Sequence, residues 1–331
     1  DAETKSAEAS QNDLKGMNGL VSEMEGALAG NGSTGSGSGN GNTGSGNNFV
    51  TKNTEVTYPD GKVWIPEGFK IAKGSASTVQ GGVVIEDKDG NQFVWVPVAT
   101  LADYKRTWYT EYDSFSSYSE ALPEDEKTSV ERYKGFYIGR YEAGDKESTG
   151  TTKATFRTSS SDTSNSVTIK ADQVPYNYVT RTQAISLAEG FKTQQGYKAK
   201  TKLVSSYAWD TTIAFIEKTV NNYGRSSSQG NYSNTSVTYK DITDESKPEK
   251  TKAENSSLLV ATGQTTPVCN IYDMGGNVFE WTTESFSITR SPCVAHGGGY
   301  DFNFARYPAG YRDNYSASVH GDAGFRLTLF M

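Results

Sequence analysis

The chain has 331 residues, of which 34% are hydrophobic and 21% charged, with a formal net charge of −7: enough for one large domain or two small ones. The acidic balance gives no electrostatic footprint for nucleic acid, and no apolar run is long enough to span a bilayer as a helix. Two cysteines, Cys269 and Cys293, are too few for a disulfide scaffold or a Cys-rich zinc site, and stand either as one bridge or as two buried thiols.

Residues 1–30 are expected to form one helix. Leu14, Met17, Val21, Met24 and Leu28 recur alternately three and four apart, which places them on one stripe, and Gly30 ends the pattern. Residues 31–48 are Gly, Ser, Asn and Thr alone, so they bury no apolar area to offset chain entropy and are expected to be a flexible tether. A short helix joined by a tether to a large domain suggests display. The chain opens on Asp1 rather than Met, and the expectation is that a preceding segment has been removed.

The large domain spans 49–331. With 20 Tyr and 34 Gly in the chain, a β- and loop-rich domain is expected. Val83–Glu86 and Gln92–Val98 are β-rich runs around an Asp89-Gly90 turn, the signature of a hairpin, and Gly135–Glu142 alternates as a strand does. Residues 182–191 and 206–218 have helical spacing, whereas 222–266 are polar and predict a long surface excursion. Gly275-Gly276-Asn277 requires a positive φ within a turn. Phe279 and Trp281 alternate with Glu280, as on a strand with one face buried. The domain is therefore expected to be α+β with an irregular β component.

Residues 271–281, Ile-Tyr-Asp-Met-Gly-Gly-Asn-Val-Phe-Glu-Trp, resemble the signature of the formylglycine-generating-enzyme/sulfatase-modifying-factor family. Gly297-Gly298-Gly299-Tyr300 resembles its GG step and Gly324-Phe325-Arg326 its closing motif. Phe93–Pro97 and Gly135–Glu142 resemble its first strands, and Trp209-Asp210 its mid-domain helix. The resemblance covers about 60–330 and implies a C-type-lectin-like fold. It also implies a Ca²⁺ ion held by the side chains of Asp273 and Glu280 with the carbonyls of Gly276 and Val278. The competing reading has Asp273 capping a turn and Glu280 in an ion pair. The enzymes of this family resemble a redox pair of cysteines between the GG step and the closing motif. Here residues 294–331 contain no cysteine, and the two histidines, His296 and His320, have no metal-ligand spacing. The chain therefore departs from the family's chemistry and is expected to be non-enzymatic, with no cofactor required.

Residues 295–324 contain no Lys, Glu, Gln, Met or Trp. Every residue type present is reachable from an AAY asparagine codon by changing its first two bases, and the five missing types are not. This pattern, at the C-terminus of such a domain, resembles the variable proteins of diversity-generating retroelements. The resemblance implies variable, ligand-binding positions at Ala295, His296, Tyr300, Asp301, Phe302, Phe304, Tyr307, Tyr311, Asp313, Asn314, Tyr315, Ser316, Val319, His320 and Asp322. Gly297, Gly298, Pro308, Gly310, Gly324, Phe325 and Arg326 are the implied fixed frame. The mix of stiff aromatics with small polar residues suits binding of a protein or glycan ligand. The N-terminal helix resembles the outer part of a type IV pilin-like stem, which implies a precursor anchored in a bacterial membrane. A phage tail or adhesin of fixed specificity and a formylglycine-type oxidoreductase are the rival readings.

Overall fold

The computed structural model describes residues 48–109, 115–148, 154–159, 163–244 and 249–331. The expected stem helix and all but the last residue of the tether lie outside them. The domain opens with a hairpin of β1 (Thr54–Tyr58) and β2 (Gly61–Ile65), followed by β3 (Lys70–Ile71), β4 (Val84–Glu86) and β5 (Gln92–Pro97). A short β6 (Tyr118–Ser119) leads to helix α1 (Glu124–Tyr133) and then β7 (Gly135–Gly139). β8 (Gly144–Asp145), β9 (Val167–Thr168) and β10 (Val174–Pro175) form a small sheet before α2 (Arg181–Gln195). β11 (Lys200–Leu203) and α3 (Ser206–Glu217) follow, then a hairpin of β12 (Val237–Tyr239) and β13 (Lys250–Lys252). The chain closes with β14 (Phe279–Phe286), β15 (Cys293–His296), β16 (Arg312–Tyr315), β17 (Ala323–Phe325) and β18 (Leu327–Phe330).

Local sequence accounts for the helix ends. α1 begins with Glu124, Asp125 and Glu126, whose charges complement the helix N-terminus. α2 has a capping box: the Thr180 hydroxyl accepts from Gln183 N at 3.2 Å, and the Gln183 side chain accepts from Thr180 N at 2.8 Å. It ends at Gly196 with φ 75°. The Ser205 hydroxyl caps α3 through Ala208 N at 3.1 Å.

Two sheets carry the fold. A six-stranded sheet has the order β11-β18-β7-β5-β4-β3. In β5, Phe93 and Trp95 enter one core with α2, and Val94 and Val96 enter another with α3. Both faces of this sheet are thus covered at its centre, where β5 and β7 are largely apolar, while the edge strands β11 and β3 carry lysines. The second sheet has the order β16-β15-β14-β17, with β6 also pairing with β14. β14 and β17 run parallel, while β15 is antiparallel to both β14 and β16. Phe279 and Trp281 of β14 point into the α2-side core together with Ala295 and Phe325. Where β14 was expected to bury one face, it buries both, because Glu280 also lies at 0% exposure. No helix among the described residues is long and apolar enough to cross a membrane.

Candidate ligand-binding face

The central motif shapes the ground beneath the face. Asp273, Gly276 and Asn277 have φ of 56°, 79° and 61°. A Cβ at Gly276 would come 2.6 Å from the Asn231 carbonyl oxygen, so only glycine fits there. The Glu280 carboxylate takes Arg326 Nε at 2.9 Å and Nη2 at 2.6 Å, and the same guanidinium donates to the carbonyls of Gly139 and Tyr272, both at 2.9 Å. Asp273 accepts from Gly263 N and the Thr265 hydroxyl, both at 2.8 Å. The buried Glu142 accepts from Asn277 Nδ2 at 2.7 Å and Val278 N at 3.1 Å. Every oxygen of Asp273 and Glu280 thus has a protein donor, and the positive charge beside Glu280 is Arg326. With the Glu280 charge neutralised by Arg326 and both carboxylates engaged by protein donors, this donor set does not favour the expected Ca²⁺ ion. Asp273 instead holds a loop, and Glu280 an ion pair.

The fifteen expected face positions divide by burial. Asp301 is exposed, and Tyr300, Phe302, Phe304, Tyr307, Tyr311, Asp313, Asn314, Tyr315, Ser316, Val319, His320 and Asp322 are half-buried. Ala295 and His296 are corrections: both lie at 0% exposure, because β15 is the inner strand between β14 and β16. Ala295 packs under Trp281's row, and His296 points into a polar core. The expected frame residues Gly297, Gly298, Pro308, Gly310, Gly324, Phe325 and Arg326 are all buried.

The half-buried aromatics form one layer on the core. The ring of Phe279 meets Phe302 at 5.2 Å, Tyr315 at 5.7 Å and Tyr307 at 6.1 Å, and Trp281 meets Tyr315 at 5.3 Å and His320 at 5.8 Å. Tyr307 also meets Tyr311 at 4.8 Å. Each ring thus has one side on the core and the other toward solvent, the arrangement in which an aromatic serves packing and contact at once. Although Asp301 is exposed, partial desolvation by its neighbours raises its carboxyl, and the charge of Asp322 adds to the rise.

The backbone of this segment is held by residues outside it. Ser233 N and Oγ both donate to the Phe302 carbonyl at 2.9 Å, and Asn234 Oδ1 accepts from Phe304 N at 3.2 Å. The Ser227 hydroxyl accepts from Ala309 N at 2.7 Å, and Trp209 Nε1 donates to the Ala309 carbonyl at 2.9 Å. Gly310 N donates to Gly224 O at 3.0 Å, Asn177 Nδ2 to Gly321 O at 2.6 Å, and Tyr178 N to His320 O at 3.1 Å. These anchors use main-chain atoms of the face, so they survive a change of its side chains. The clamp residues 224–234 begin the stretch expected to be a surface excursion. Lys252 of β13 secures them: it is 3% exposed, and its Nζ donates to the carbonyls of Thr235 at 2.6 Å and Tyr232 at 2.7 Å.

Under the other side of β15 and β16 lies a charged core absent from the sequence-based expectation. Glu284, at 0% exposure, accepts from Arg312 Nε at 2.8 Å and Arg106 Nε at 2.9 Å, with His296 Nε2 at 3.3 Å. Arg312 also pairs with Asp210 and donates to the Thr107 carbonyl at 2.9 Å. Burial alone would raise Glu284, but its His296 hydrogen bond and the Arg312 and Arg106 charges hold it at about 2. Burial drives the His296 imidazole down to about 4 against the pull of Glu284. At neutral pH the ring is therefore uncharged, and the two guanidiniums keep Glu284 ionised.

A family model described as the sulfatase-modifying factor enzyme 1-like domain, FGE-sulfatase, matches residues 38–329. The chain belongs to the FGE-sulfatase family. Its α+β arrangement is the C-type-lectin-like fold of that family. No curated protein matches the chain. Among solved structures, CarF has a TM-score of 0.42 at 12% identity, covering 72% of this chain and 98% of its own. PvdO from Pseudomonas aeruginosa has 0.39 at 18% identity, covering 75% and 98%. Treponema denticola variable protein 1 has 0.39 at 14% identity, covering 73% and 96%. In this FGE-sulfatase domain the two thiols are free and buried, Cys269 in the α3-side core and Cys293 in the α2-side core. Burial raises both above the ordinary thiol range, opposite to what an activated thiolate needs.

Proposed function

We propose that this FGE-sulfatase domain is a non-enzymatic binding protein whose face of residues 300–322 is diversified by a retroelement and takes a protein or glycan ligand. The observation that carries this reading is a partition. The frame residues of the segment are buried and its backbone is held from outside, while thirteen of the fifteen expected variable side chains reach solvent. All of those side chains belong to the set reachable from AAY codons. The segment's tyrosines and phenylalanines supply stiff contact area, and its Ser, Asn and Asp adaptable hydrogen bonds. The composition of residues 31–48 supports a domain displayed away from its attachment at a bacterial surface. The absence of cysteine after residue 293 supports the non-enzymatic part of the reading.

The test is to sequence the 3′ end of the gene across many cells of the source population. Codon changes confined to the solvent-reaching positions of 300–322, with the frame and the 224–234 clamp constant, are expected. An invariant segment would overturn the diversification and leave an adhesin of fixed specificity. Turnover of a cysteine-containing sulfatase peptide would overturn the non-enzymatic reading.

A further inference from the structure

A second site lies in residues that the proposed face does not use. A cleft of about 600 Å³ is lined by Lys52, Asn53, Trp64, Glu67, Arg132, Tyr133 and Lys198. These residues come from the start of the domain, β2 and the turn after it, the last turn of α1 and the loop before β11, so four separate segments converge on it. Three are cations in a chain whose net charge is −7. Lys52, Arg132 and Lys198 are exposed, and none has an ion-pair partner among the described residues. Cations gathered around a concavity without a paired carboxylate focus a positive potential into it.

The floor of the cleft is aromatic and ordered. Trp64 meets Tyr133 edge-on at 5.4 Å and 72°, and Trp64 stays half-exposed. Asn53 is fixed from both ends of its amide: Nδ2 donates to the Tyr133 hydroxyl at 3.2 Å, and Oδ1 accepts from Glu67 N at 3.0 Å. The Arg132 guanidinium lies 5.1 Å from the centre of the Tyr133 ring, which supports it from one side. A partly exposed indole beside a hydroxyl and an amide, ringed by cations, matches a sugar ring that carries an acid group. The apolar face of the sugar would lie on Trp64, its hydroxyls would reach Asn53 and Tyr133, and its carboxylate or sulfate would meet the cations. Glu67 is the single carboxylate in the lining and sets a limit on how many acid groups can enter.

We propose that the Lys52–Trp64–Arg132–Lys198 cleft is a binding site for an acidic saccharide, separate from the face at 300–322. The full chain is titrated in a calorimeter at physiological salt with three tetrasaccharides: a sulfated one of the heparin type, tetragalacturonate, and neutral cellotetraose. Saturable one-to-one binding of at least one acidic sugar is expected, at least about ten-fold tighter than cellotetraose. Which of the two binds distinguishes sulfate from carboxylate. The double variant Lys52→Ala/Lys198→Ala, both side chains being exposed, is expected to keep the thermal transition and lose affinity at least about ten-fold. The face variant Asn314→Ala is expected to bind unchanged. The proposal is overturned if no acidic sugar binds, if the double variant binds as the parent does, or if an oligoglutamate of equal charge binds as tightly. Loss of binding in the face variant alone would assign the sugar to the face and also overturn it.

Discussion

Arg326 and Glu284 are fully buried charges, and the consequences can be measured. Removing Arg326 leaves Glu280 buried and uncompensated, and strips the donors from the Gly139 and Tyr272 carbonyls. Arg326→Ala is therefore expected to destabilise the domain by about 3–5 kcal/mol in urea unfolding. His296 gives a pH signature. Its folded pKa, about 4, is below the unfolded value of about 6.5, so between them the unfolded state binds the extra proton. Stability from this group is complete above pH ~6.5, falls as pH drops, and levels off below pH ~4. The stability of the parent relative to His296→Gln is thus expected to rise from pH 4 to 6.5, and a flat difference curve would remove the buried-neutral assignment. Gly298 has φ 72°, and a Cβ there would come 2.3 Å from the Tyr307 carbonyl oxygen. Gly298→Ala is expected to cost at least about 1 kcal/mol, whereas Asn314→Ala should stay within about 0.5 kcal/mol.

At the scale of elements, the stretch 224–234 matters more than its polar composition suggests. It supplies the side chains that hold the main chain at Phe302, Phe304 and Ala309, and Lys252 of the β12–β13 hairpin fastens it in turn. Each such hydrogen bond contributes about 0.5–1.5 kcal/mol. Replacing Ser233 and Asn234 together by alanine is expected to speed amide exchange across 302–307 several-fold, with only a small change in the global midpoint. Equal protection in parent and variant would mean that the aromatic layer alone fixes the loop. Tyr315 belongs to a different category from Ser316. Its ring packs on Phe279 and Trp281, and its hydroxyl donates to Asp322 at 3.1 Å, so exchanging Tyr315 alters the core as well as the face.

For the whole molecule, a buried frame beneath changeable side chains predicts tolerance. Simultaneous replacement of Asp301, Asn314, Ser316 and Val319 by other AAY-reachable residues should move the thermal midpoint by only a few degrees, because none of these side chains belongs to the hydrophobic core. A collapse of the transition would show that the face and the fold are not separable.

Much of this was legible in the chain because it is written locally. The hairpin at 83–98, α2, α3, the strand after Gly135 and the positive φ at Gly276-Asn277 follow from period, capping and turn chemistry, which depend on neighbours in sequence. The residue types of 295–324 likewise mark the proposed face in the sequence itself. What the chain alone could not decide depends on partners far away in sequence. Ala295 and His296 look like their neighbours in the window, yet the pairing of β15 between β14 and β16 buries them. Asp273 and Glu280 carry the oxygens of a cation site, yet Arg326, 46 residues after Glu280, places its guanidinium there. The Arg106–Glu284–Arg312–Asp210 cluster and the 224–234 clamp joined residues with no common pattern. Burial and charge compensation are properties of the packed sheet, and only tertiary structure brings those groups out of water together.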